Sequence, residues 1–185
     1  MVKVALVVGH KPSSPGACNE SYGLCEFGFY NPLVDKVAEE LDGDIEAVKI
    51  LRDTYKDLPD KINAEEPDLI VSFHANSFEE PPGVDEVGGT EVLYYHKSAK
   101  GKAAATIMQE QLVDFLGTKD RGIVPTRSED KGGYLLRYTH APAILIEPFF
   151  IDNDEDLEAV LENEEEFAAA IARAIEDIVD QVIAG

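Results

Sequence analysis

Apolar residues follow two rhythms along this chain. Short apolar runs occur at Val4-Ala5-Leu6-Val7-Val8, Ile70-Val71 with Phe73, and Ala143-Ile144-Leu145-Ile146. Such runs are too short for buried helices, and they suit strands covered on both faces. Elsewhere the apolar positions recur every three or four residues. Leu33, Val34, Val37, Ala38 and Leu41 form one such stripe, and Ala104, Ile107, Met108, Leu112, Phe115 and Leu116 form another. Phe167, Ile171, Ala174, Ile178 and Val182 make a third. These are core-facing helix faces.

Punctuation between the runs sets the expected boundaries. A first strand over 2–9 is followed by a Pro/Gly/Ser loop. Asn31-Pro32 reads as a helix start, closed by Gly43. A strand over Ile45–Leu51 and a short helix over Asp57–Asn63 precede the central strand. Ser77–Gly89 reads as a long loop, Thr90–Tyr95 as a strand, and Ser98 as the cap of a helix stopped by Gly117. Residues 118–133 read as a second loop and Tyr134–Tyr138 as an edge strand. After the strand at 143–147, Asn153 with Asp156, then Asn163 with Glu166, mark two helix starts. The alternation predicts an α/β fold, a single domain over 1–185, with a mixed and mainly parallel twisted sheet of about six strands and helices on both faces.

Charge narrows the function classes. The net charge is −21, and residues 151–185 carry twelve Asp and Glu against the single Arg173. Nucleic-acid binding rests on neutralising phosphates with Lys and Arg, so this balance argues against it, and against attraction to anionic membranes. No apolar run is long enough to insert into a bilayer, and the N-terminus lacks the features of a signal peptide. Cys18 and Cys25, seven apart in one loop, read as free thiols. The expectation is a monomer.

The strand ends carry the candidate chemistry. Val8 runs into Gly9-His10, Phe73 into His74-Ala75-Asn76, and Ile146 into Glu147-Pro148. Ligands of open α/β sheets bind beyond the carboxyl ends of parallel strands, and two imidazoles with a glutamate there suggest a metal site. Glu147 has a structural alternative, a strand-end carboxylate paired with Arg137. His96 and His140 fit ordinary surface histidines as well as substrate contacts, and Tyr134, Tyr138 and Phe78 fit a glycan groove as well as core packing.

Gly9-His10, Glu26, Ser72-Phe73-His74-Ala75-Asn76, Gly88-Gly89-Thr90-Glu91 and Ile144-Leu145-Ile146-Glu147-Pro148-Phe149-Phe150-Ile151-Asp152-Asn153 occur in that order. Together they resemble the zinc-dependent N-acetylmuramoyl-L-alanine amidases of bacterial cell-separation enzymes and phage endolysins. The resemblance implies a Zn²⁺ ion held by His10, Glu26 and His74, with Glu147 as the catalytic carboxylate. Glu20 is the rival third ligand. Asn76 and His140 are the candidate substrate contacts. The implied substrate is bacterial peptidoglycan, cut at the amide between muramic acid and L-alanine. An enzyme of this kind acts on the cell wall, as a phage endolysin made in the host cytoplasm or as a domain of a secreted enzyme. Another zinc-dependent amide or peptide hydrolase on the same scaffold, or a wall-binding module without activity, are the alternatives.

Overall fold

The computed structural model describes residues 1–78 and 87–185. Its centre is a six-stranded sheet in the order β4-β1-β5-β8-β6-β7. The strands are β1 (Val2–Val8), β4 (Ile45–Leu51), β5 (Leu69–Phe73), β6 (Thr90–Tyr95), β7 (Asp120–Thr126) and β8 (Ala143–Glu147). Two further strands, β2 (Cys18–Asn19) and β3 (Leu24–Cys25), form a small separate ladder. Strands β4, β1, β5 and β8 are mutually parallel, and β6 runs antiparallel to β8. The three short apolar runs lie in three adjacent inner strands, β1, β5 and β8, every residue of β5 and β8 being buried.

Helices cover both faces, as the pattern required. Helices α1 (Glu26–Glu40), α3 (Ala99–Leu116) and α6 (Glu164–Ile178) pack on one face, through Leu33, Val37, Met108, Leu112, Phe167 and Ile171. Helices α2 (Leu58–Asn63) and α4 (Gly133–Tyr138) cover the other, through Leu58, Ile62, Leu135 and Leu136. Ser98 caps α3 by accepting from the Gly101 amide, and Gly117 ends it in the left-handed conformation. Asn153 caps α5 (Asp154–Leu161) by accepting from the Asp156 amide. At α6 the expected cap does not form, because the Asn163 side chain donates to the Ala159 carbonyl instead.

Four further expectations are overturned. Helix α1 starts at Glu26, before Asn31-Pro32, and Pro32 lies inside it. A proline there removes one backbone bond, but Phe29 and Tyr30 are buried on the preceding turn and anchor it. Residues 120–126, expected within a loop, are strand β7 at the sheet edge, parallel to β6. An edge strand tolerates Gly122 and Pro125 because one side has no partner to satisfy. Residues 134–138, expected as a strand, lie in α4; burying Leu135 and Leu136 on the sheet face decides the helix. Finally, Cys18 and Cys25 are not free but joined in a disulfide. The β2–β3 ladder places them directly opposite, with Cα atoms 3.9 Å apart. The expected loop at 77–89 lies mostly outside the described residues.

Candidate metal centre and active-site cleft

Sheet register assembles the site. Leu51, Val8, Phe73 and Ile146 stand side by side on β4, β1, β5 and β8. The next residues, Arg52, Gly9, His74 and Glu147, therefore emerge as one row at the carboxyl edge. Because β6 is antiparallel, Glu91 near its start pairs with Glu147 and extends the row. His10 follows Gly9. A Cβ on Gly9 would stand 2.2 Å from the His74 imidazole, so only glycine leaves the ring its place.

The third member comes from the helix side of the sheet. Glu26 opens α1 and is 5% exposed. Its Oε1 accepts from the Ala17 amide at 2.9 Å and its Oε2 from the Ala75 amide at 3.0 Å. The same Oε2 lies 3.2 Å from His10 Nε2 and 3.5 Å from His74 Nδ1. One donor atom from each of His10, Glu26 and His74 falls within 4.8 Å of the others. In a tetrahedral centre with bonds of about 2.0–2.1 Å, ligand atoms sit roughly 3.3 Å apart, so both contacts match its edges. The set fits a small divalent cation. Glu20, the rival, is exposed.

Electrostatics prepare these groups for a cation. Burial works to raise the Glu26 carboxyl, yet its contacts with His10 and His74 outweigh burial and hold it well below the usual carboxylate range. Burial lowers the His74 imidazole, against the opposing pull of Glu26. Both shifts favour the deprotonated forms a metal requires. The Tyr30 hydroxyl donates to the His74 carbonyl at 2.6 Å, which ties the end of β5 to α1.

Glu147 stands in a different environment. It is 1% exposed, and burial pushes its carboxyl up to about 7, with the Lys131 ammonium pulling down and Glu91 adding to the rise. Lys131 Nζ is 2.9 Å from Glu147 Oε1. A carboxyl poised near neutrality in a cleft is suited to accept and return a proton. The cleft, of about 270 Å³, is lined by His10, His74, Glu147, Lys131, Arg52 and Tyr55 among others.

The remaining expected residues divide by location. Asn76 lies just past the site, where its backbone bridges to Phe150 and its side-chain amide donates to Glu91 Oε1 at 2.9 Å. Arg121 holds the other Glu91 oxygen at 3.0 Å. His140 and His96 are not brought to this edge. His140 precedes the amino end of β8 and His96 follows the carboxyl end of the reversed β6, so both lie at the opposite edge of the sheet. Arg137, the alternative partner for Glu147, lies over the Tyr95 and Tyr138 rings instead. Phe78 stacks on Phe150, while Tyr134 lies 5.6 Å from Tyr55. The sequence reading passed over Lys131 and Arg52. Lys131 sat in an apparent loop with no pattern to mark it, and Arg52 could have been found as the residue that follows β4 at the same edge.

Two imidazoles and a carboxylate gathered at a strand edge, beside a buried glutamate poised near neutrality, have the parts of a metal-dependent hydrolase. The family described as N-acetylmuramoyl-L-alanine amidase matches this chain over residues 4–177, and the chain belongs to that family. LytC of Bacillus subtilis (strain 168), named an N-acetylmuramoyl-L-alanine amidase, is 28% identical over 155 residues, covering 80% of this chain and 29% of its own. The endolysin of Bacillus phage SPP1 is 31% identical over 193 residues, covering 97% of this chain and 65% of its own. The chain thus spans less than two thirds of either relative. The crystal structure of an N-acetylmuramoyl-L-alanine amidase from Clostridium difficile 630 has the same fold, with a TM-score of 0.85 at 23% identity over 97% of both chains. Among the described residues, no helix is long and apolar enough to cross a membrane.

Proposed function

We propose that this chain hydrolyses the amide between the lactyl group of N-acetylmuramic acid and L-alanine in bacterial peptidoglycan, with Zn²⁺ as its cofactor. The observation that carries this reading is the convergence of His10, Glu26 and His74 in one cleft with Glu147, in a chain of this family. His10, Glu26 and His74 would hold the ion. When bound, zinc supplies Lewis acidity, polarising the amide carbonyl and acidifying water. The chain's own residues do the rest. The Glu147 carboxylate accepts the proton of the attacking water and returns it to the alanine nitrogen as the C–N bond breaks, leaving a lactyl carboxylate and a free amine. Lys131, paired with Glu147 Oε1, keeps enough of that carboxyl ionised near neutral pH to act as a base. Glu91, fixed by Asn76 and Arg121, stands across the strand pair from it. The amides of Ala17 and Ala75 fix both oxygens of Glu26.

The place of action that fits is the cell wall, in line with the names of the endolysin and LytC relatives. The test combines metal analysis with product chemistry. Purified protein should hold about one zinc per chain. Purified peptidoglycan should release new L-alanine amino termini without new reducing sugar ends. Reducing ends or internal peptide termini instead would make it a different hydrolase, and full activity in metal-free protein would remove zinc from the mechanism.

A further inference from the structure

Six of the sixteen Lys and Arg side chains of this acidic chain are paired with carboxylates among the described residues. Lys3, Lys36, Lys49, Lys61, Arg121 and Lys131 each pair with a carboxylate. Arg52 does not pair with one among the described residues. Its Nε is buried without a hydrogen-bond partner, although the chain holds 37 acidic residues against 16 basic. The guanidinium lies 5.9 Å over the Tyr55 ring and lines the same cleft as His10, His74 and Glu147. A buried guanidinium nitrogen left without an acceptor costs stability unless a ligand supplies one. Arginine matches a carboxylate in particular, through two parallel hydrogen bonds.

Resting on the amidase reading, we propose that Arg52 is the specificity residue that receives a carboxylate of the peptide stem, on the residue that follows the L-alanine. The row along the sheet edge gives the reach. Arg52 lies two strands from His74, by way of Gly9, and strands are about 4.8 Å apart. Each stem residue advances an extended chain by about 3.5 Å, which places that carboxylate roughly 7 Å from the scissile bond. The long arginine side chain spans the remainder. In peptidoglycan this stem residue is a glutamate joined through its side chain, so its α-carboxyl is free or, in amidated walls, a carboxamide. Arg52 reads that difference. With a net charge of −21 repelling anions elsewhere, an arginine in the cleft that pairs with no carboxylate among the described residues is what admits an acidic stem.

The experiment uses two synthetic substrates, N-acetylmuramoyl-L-alanyl-γ-D-glutamyl-L-lysine and its α-carboxamide. Steady-state kinetics are run on wild type, Arg52→Ala and Arg52→Lys, with zinc content and Tm measured on each. Calorimetric binding of both peptides is measured on Glu147→Gln, with and without Arg52→Ala. Wild type should prefer the carboxylate. Arg52→Ala should raise KM for it about ten- to hundredfold with kcat within about threefold, while the carboxamide moves less than about threefold. Arg52→Lys should recover part of the loss. Equal losses on both substrates, or a wild type blind to the difference, would overturn the assignment and leave the amidase reading standing. If wild type cleaves neither peptide, yet Glu147→Gln binds the carboxylate in an Arg52-dependent way, the amidase reading falls and the anion site stands.

Discussion

Gly9→Ala tests whether the packing of the first strand end controls the candidate metal centre. The added Cβ would lie 2.2 Å from both Cε1 and Nε2 of His74. Carbon atoms in contact sit at about 3.5 Å or more, so the ring or strand β1 must yield by roughly 1.3 Å. Neither moves freely. The Gly9 amide donates to the Phe73 carbonyl and the His74 amide to the Ile146 carbonyl, which locks both strand ends into the sheet. Metal–ligand distances tolerate only about 0.2 Å. Overpacking of this kind costs about 1–3 kcal/mol, and about 1.4 kcal/mol is tenfold in an equilibrium constant. If the strain is relieved at His74, zinc affinity falls by roughly ten- to hundredfold. The assay is competition with a chelator of known zinc affinity, alongside thermal unfolding of metal-free and metal-loaded protein. The loaded form should lose more stability than the free form, because binding energy adds to folding energy. Wild-type affinity with an unchanged Tm would refute the reasoning.

Glu147→Gln should keep its zinc and its Tm while losing about 10²- to 10⁴-fold in turnover, the usual share of a general acid–base residue; a wild-type rate would remove Glu147 from the chemistry. Because burial sets the Glu147 carboxyl to about 7 and a base must be deprotonated, kcat/KM should fall as pH drops through about 7. Lys131→Met removes a charge that holds this carboxyl down, so the acid limb should move to higher pH; a limb that moves down or stays would exclude the pairing. The same raised value means that neutral Glu147 favours the folded state. Its contribution is full below the unfolded value of 4.5 and is lost as pH rises through about 7, and a Tm that rises over that window in Lys131→Met would contradict it. Glu26→Ala should sharply weaken zinc binding in a metal titration, and Glu20→Ala, at an exposed position, should not. Paired Cys18→Ser and Cys25→Ser should cost about 2.5 kcal/mol for the short loop released, and should also loosen zinc, since Ala17 and Glu26 flank the two half-cystines. Unchanged zinc affinity would uncouple the disulfide from the candidate ligand Glu26.

The sequence by itself determined the layers of this protein and much of its row of candidate site residues. Short apolar runs at 4–8, 70–73 and 143–146 suit strands buried on both faces, and parallel strands in one sheet share a carboxyl edge. His10, His74 and Glu147 were therefore legible as neighbours although 64 and 73 residues separate them in order. Local caps at Ser98 and Asn153 were legible for a different reason, since their hydrogen bonds are short-range. Only the tertiary structure decided the rest. Pro32 and the stretch 134–138 follow packing against the sheet over their local preference, and β7 is a strand because β6 offers it an edge. The disulfide exists because a two-residue ladder sets the cysteines opposite each other, which their spacing alone does not dictate. Above all, Lys131 beside Glu147 and Arg52 with its buried Nε are matters of register and burial. A charge acquires its role from what surrounds it in space, and no periodicity along the chain records that.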